Sequence, residues 1–127
     1  MKKFIKIVTD ILLVIVLVIA AVLYIPRLMG LKTYKVLSGS MEPEYHVGSV
    51  VYVEKSSIDD IEVGDVITFY INDNTVVTHR VIDKDDDTES FRTKGDANET
   101  EDGGSVAYDK VVGKVVLNVP YLGYILR

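Results

Sequence analysis

The chain has 127 residues, no cysteine and a net charge of −5, with a pI near 4.9. Disulfides, a thiolate nucleophile and a cysteine-based zinc site are therefore excluded. The acidic balance, without any basic stripe interleaved with aromatics, argues against nucleic acid as a partner.

The N-terminal segment is unlike the rest. Ile11 to Ile25 is an unbroken apolar run of 15 residues, which as a helix covers about 22 Å of a hydrocarbon layer roughly 30 Å thick. Extension back to Phe4 or Ile5 reaches membrane length if Lys6 snorkels and Asp10 lies near the headgroups, and Pro26 is expected to end the helix. Residues 1–31 are read as an N-terminal single transmembrane anchor in the lipid bilayer, and 32–127 as one β-domain. A cleaved signal peptide is the competing reading, with Lys2, Lys3 and Lys6 as its charged region, but no small-x-small cleavage site follows Ala21. Arg27, Lys32 and Lys35 nearly balance the N-terminal lysines, so positive-inside counting gives a weak preference for an inside N-terminus.

From Lys32 onward, short β-branched and aromatic runs alternate with turn residues: "TYKVL", "SVVYVE", "DVITFYI", "TVVTHRVID", "TESFRTK" and "KVVGKVVLNV". No window has helical periodicity. The expected fold class is mainly β, with a small antiparallel β-domain of six or so strands after the helix. Asn72, Asp73 and Asn74 tolerate the left-handed turn conformation and suit a hairpin joining "DVITFYI" to "TVVTHRVI". "VGSVV" at Val47, "VGDVI" at Val63 and "VGKVV" at Val112 read as three strand openings. "NVPYLGYILR", Asn118 to Arg127, is too short to span a membrane and is expected to finish the core or to lie on a membrane surface.

Several polar groups invite chemistry. Asp83, Asp85 and Asp87 in "DKDDDTE" alternate as calcium ligands do, but an EF-hand loop needs Gly at its sixth position and Glu at its twelfth, where Thr88 and Lys94 stand. A solvated hairpin tip is expected there, and no metal or cofactor. "NET" at Asn98 matches a short glycosylation sequon of low specificity. His46 is expected in an exposed loop. Period-two alternation in "TVVTHRVI" puts Val77, His79 and Val81 on one face, so His79 reads as a buried structural histidine or as a base. Ser40, in "SGSMEP", reads as a turn residue or as a nucleophile. Neither GxSxG nor SxxK is present around it.

Three stretches in register carry a resemblance. "SGSMEP" at Ser38 to Pro43, "VTHRV" at Val77 to Val81 and "TKGDANETED" at Thr93 to Asp102 resemble the three active-site boxes of type I signal peptidases, the S26 family of serine peptidases. "VGDVITF" at Val63 resembles the segment between the first two boxes. The similarity is to the branch in which a histidine replaces a catalytic lysine, shared by the endoplasmic-reticulum enzyme, archaea and sporulating Gram-positive bacteria. The resemblance implies a membrane-bound serine endopeptidase that removes N-terminal signal peptides from exported preproteins. It would be a single-pass membrane protein with its catalytic domain on the extracytoplasmic side, or in the reticulum lumen in a eukaryote. Ser40 would be the nucleophile and His79 the general base, with Ser38 and the Ser40 amide as oxyanion hole. Asp102 is favoured as the acid that orients His79 and Asp96 as the structural acid opening its box, although spacing does not separate Glu99, Glu101 and Asp102. Met41 and Val77 would line pockets for the small side chains before the cleavage site, the substrate being added as an extra strand. No second apolar span follows in these residues, whereas many relatives carry one, and accessory membrane subunits are left open.

Two alternatives stand beside this reading. One is a non-catalytic, membrane-tethered β-module that binds secreted chains by strand addition. The other keeps the protease but uses Lys55 or Lys84 as the base.

Overall fold

A computed structural model describes residues 1–124 and divides into two compact units, Met1–Leu31 and Lys32–Arg127. The first is one helix, α1 (Lys2–Leu28), long and apolar enough to cross a membrane. Its Ile, Leu and Val side chains are exposed along most of its length. Pro26 lies inside the helix and does not end it. Proline removes only its own N–H from the ladder, and α1 runs two residues further before stopping at Gly30 (φ +85°). There Gly30 N–H donates to the Arg27 carbonyl at 3.0 Å and Leu31 N–H to the Pro26 carbonyl at 2.9 Å, the Schellman arrangement.

The second unit is a seven-stranded antiparallel sheet: β1 (Lys32–Lys35), β2 (Val50–Glu54), β3 (Val66–Asn72), β4 (Thr75–Asp85), β5 (Ser90–Lys94), β6 (Val106–Ala107) and β7 (Val111–Val119). Their order across the sheet is β1-β2-β7-β3-β4-β5-β6. The strand beyond the expected six or so is β6, whose two residues are too few to show any alternation. Each β-branched run forms a strand because its inward residues meet a shared core. Ile67, Phe69, Val81, Phe91 and Val106 pack with Ile61 from the β2–β3 connection, each at most 6% exposed. In β2, Val50 to Val53 are buried on both faces of the strand, which explains why "SVVYV" reads as a continuous apolar run.

Two local expectations change. The β3–β4 hairpin closes with Asn74 N–H donating to the Asn72 side chain at 2.9 Å; among the described residues the non-glycine ones with positive φ are Glu89 and Tyr121, so this turn needs no left-handed residue. An Asx contact does that work. Gly48 and Gly64 do precede β2 and β3, but Gly113 lies inside β7, not at its start. A Cβ at Gly113 would lie 2.1 Å from the Glu54 carbonyl oxygen, so close strand approach, and no turn, requires glycine there. Leu122 is buried and Gly123 N–H donates to the Gly48 carbonyl at 2.7 Å, so the start of the closing segment packs on the β-unit. Residues 125–127 lie outside the described residues.

Candidate active site

Ser40 sits in a single 3-10 turn, Gly39–Met41, between β1 and β2, not on a strand edge. The turn is closed by Glu42 N–H donating to the Gly39 carbonyl at 3.1 Å. That bond uses none of the first amides, so Ser40 N–H has no acceptor within the turn. Met41 anchors the turn by burial, at 2% exposed, and its sulfur accepts the Asp96 N–H at 3.4 Å. The Ser40 carbonyl accepts Ala97 N–H at 2.9 Å. Gly95 passes so near that a Cβ on it would lie 2.6 Å from that carbonyl oxygen. The backbone of the nucleophile candidate is thus gripped by the segment following β5.

His79 comes from the middle of β4, where the alternation puts it on the same face as Val81 and half-buried Val77. It is 8% exposed, and Phe69 meets its ring edge-on with centroids 6.5 Å apart. Its Nε2 lies 3.0 Å from Ser40 Oγ, and its Nδ1 lies 2.7 Å from Asp102 Oδ2. A carboxylate only accepts, so Nδ1 carries the proton and Nε2 offers its lone pair to the serine hydroxyl. Ser40 then donates to His79. Ser38 Oγ, 3.1 Å from Ser40 Oγ, is left to donate to the serine oxygen.

Asp102 lies in the long connection between β5 and β6, yet its position is determined by β5. Its N–H donates to the Thr93 carbonyl at 2.9 Å, and its Oδ2 accepts the Thr93 hydroxyl at 2.6 Å. Asp96 faces elsewhere. It forms a bidentate pair with Arg80, Nε to Oδ1 at 2.8 Å and Nη2 to Oδ2 at 2.7 Å, while Arg80 Nη1 donates to the Gly64 carbonyl at 2.7 Å. The Arg80 hydrogen bonds, opposed by burial and aided by the guanidinium charge, hold the Asp96 carboxyl below the usual carboxylate range. The same hydrogen bonds push the guanidinium further up.

A cavity of about 480 Å³ opens beside Ser40, lined by Tyr34, Val36, Met41, Tyr45, Val77 and His79 among others. It lies between two unpaired edges. Among the described residues, β1 pairs only with β2, and β5 pairs with β4 from Arg80 onward, leaving Thr75–His79 without a strand neighbour on that side. Burial pushes the Tyr45 phenol up, so it faces the cavity protonated.

Of the residues singled out in the sequence, Ser38, Ser40, His79 and Asp102 come together, and Met41 and Val77 line the adjoining cavity. Glu101 lies 3.8 Å from Arg92 and points to another partner. Lys84 Nζ donates to the Ile58 and Ile61 carbonyls at 2.9 and 3.0 Å, which leaves it no part near Ser40. His46 is exposed and paired with Glu42. Asp85 caps its own hairpin through the Asp87 and Thr88 amides. No cluster suited to a metal ion is found among the described residues. Thr93, Arg80 and Gly95 were not singled out. Thr93 and Gly95 stand within "TKGDANETED" and Arg80 within "VTHRV", so adjacency to the other site residues was the available signal.

With this geometry in place, similarity to known proteins becomes informative. The family model described as "Signal peptidase, peptidase S26" matches residues 8–88. Signal peptidase I W of Bacillus subtilis (strain 168) is 38% identical over 120 residues, covering 84% of this chain and 63% of that relative. The human signal peptidase complex catalytic subunit SEC11C is 35% identical over 101 residues, covering 71% of this chain and 53% of its own length. SEC11 of Fusarium vanettenii is 33% identical over 101 residues, covering 71% and 59%. The chain belongs to the S26 signal peptidase family. It spans 53 to 63% of the length of these relatives. The family match contains Ser40 and His79 and ends before Asp96 and Asp102, so the acids rest on hydrogen-bond geometry.

Proposed function

We propose that the protein is a membrane-bound serine endopeptidase that cleaves N-terminal signal peptides from exported preproteins, with Ser40 as nucleophile and His79 as general base. One observation carries this reading: the continuous hydrogen-bond chain from Ser40 Oγ through both nitrogens of His79 to Asp102 Oδ2, at 3.0 and 2.7 Å. In the acylation step Ser40 Oγ attacks the scissile carbonyl as its proton passes to Nε2, and Asp102 stabilises the imidazolium that forms. His79 then gives that proton to the departing amine, and water releases the acyl group by the same route. The developing oxyanion takes the Ser40 N–H, which has no acceptor within the turn, and the Ser38 hydroxyl, which turns from Ser40 Oγ toward it. Asp96 acts at a distance, through Arg80 and the Met41 turn.

An extended substrate segment adds as a strand between the free edges of β1 and β4, with Met41 and Val77 shaping the pockets for small side chains. The apolar helix α1 anchors the enzyme in the bilayer where the substrate's own apolar segment emerges, which raises the effective concentration without new contacts. The β-unit faces the extracytoplasmic side; a protease added outside intact cells that spares the β-unit while degrading a known external domain would contradict this. The reading is tested with the purified chain in detergent and a preprotein carrying a small-x-small site. Ser40→Ala and His79→Ala are expected to lose on the order of 10⁴ or more in rate while Lys55→Ala stays active. Persistence of cleavage in Ser40→Ala would refute it.

A further inference from the structure

We infer that Thr93 is a positioning residue whose hydroxyl holds the Asp102 carboxylate against His79. The kinetic part of its test rests on the peptidase reading above; the structural part does not. Asp102 is on an irregular connection and its side chain is 28% exposed, so water competes for the carboxylate. A carboxylate placed on such a segment needs an anchor on a rigid element. Thr93 supplies it twice over: its carbonyl accepts the Asp102 N–H at 2.9 Å and its hydroxyl donates to Asp102 Oδ2 at 2.6 Å. That oxygen is the same one that accepts His79 Nδ1–H at 2.7 Å. The two donors therefore converge on one atom and fix both the rotation of the carboxylate and the imidazole it faces.

Thr93 is suited to this in three ways. It is fully buried, at 0% exposed, so its hydroxyl has no water to turn to. It is on β5 opposite Val81 of β4, two residues beyond His79, so the anchor and the imidazole ride on one hydrogen-bonded strand pair. Its β-branch also restricts χ1, so the hydroxyl direction is set by packing against neighbours, before any partner arrives. Valine has nearly the same shape and no donor; serine keeps the donor and loses a methyl.

The test compares Thr93→Val and Thr93→Ser with wild type in the full chain in detergent. The proton on His79 Nδ1, hydrogen-bonded to a carboxylate, gives a low-field NMR signal, and His46, the other of the two histidines, is an internal control. In Thr93→Val the His79 signal is expected to broaden or vanish while His46 is unchanged, and kcat to fall roughly tenfold with little change in KM, as expected for loss of one charge-assisted hydrogen bond. Thr93→Ser is expected to restore both. Thr93→Ala, which removes the hydroxyl without setting a methyl against the carboxylate, gives the same comparison if the valine variant misfolds. A sharp, unshifted His79 signal in the variants lacking the hydroxyl, or a serine variant as impaired as valine, would overturn the inference. If wild type cleaves no preprotein, the peptidase reading falls and the NMR comparison alone decides the role of Thr93.

Discussion

Each donor and acceptor around Ser40 has one consistent assignment. Because Asp102 can only accept, the proton positions on His79, Ser40 and Ser38 follow in turn, and the serine hydroxyl ends up pointing at a lone pair. The second acid works differently. Asp96 is held ionised by the Arg80 fork, and its lowered value makes a testable link to stability. A carboxyl with a depressed native value stabilises the fold above its unfolded value, about 3.9, and that contribution disappears as the pH falls through the native value. Asp96→Asn is therefore expected to lower the denaturant midpoint at pH 7, with the gap to wild type narrowing at pH 3; an equal gap at both would contradict the ion pair's role. Ser40 and His79 stand out in the sequence as candidates because each lies in a short box with recognisable neighbours, whereas spacing leaves Asp102 beside Glu99 and Glu101, and the hydrogen bond to His79 Nδ1 is what distinguishes it. Thr93 and Arg80 could not be assigned roles that way. What they do depends on which strand lies opposite them, and the β4–β5 register is not written in either segment alone.

Among the elements, the connection after β5 does more for the site than any strand except β4. It contributes Gly95 against the Ser40 carbonyl, Ala97 N–H to the same oxygen, Asp96 to Arg80 and Asp102 to His79. Gly95→Ala would force a Cβ to within 2.6 Å of the Ser40 carbonyl oxygen, and backbone atoms yield less readily than flexible side chains. The expected result is a loss of activity of at least about tenfold from displacement of the Ser40 turn, a 1.4 kcal/mol effect on the barrier. Steady-state rates alongside thermal unfolding check it; wild-type activity would contradict the tight approach. Most strands are legible as short β-branched and aromatic runs between turn residues, as the match of "DVITFYI" to β3 illustrates. Two features are not: Pro26 continues α1, and Gly113 is internal to β7. The first is decided locally, by the Schellman stop at Gly30, and the second by a tertiary contact, the Glu54 carbonyl beside β7.

On the scale of the whole molecule, a long apolar helix precedes a β-unit with its own core, and the chain belongs to a family named for removing signal peptides. The two parts solve different problems. The helix is long and apolar enough to cross a membrane, and the β-unit brings together a hydroxyl, an imidazole and an open cleft edged by unpaired strands. The central claim is covalent chemistry at Ser40, and a trapped intermediate tests it most directly. Acid quenching of the enzyme during turnover of a preprotein, followed by peptide mapping by mass spectrometry, is expected to find the acyl group on Ser40 and on no residue of Ser40→Ala. Turnover in which Ser40 stays unmodified while another side chain carries the acyl group would contradict it.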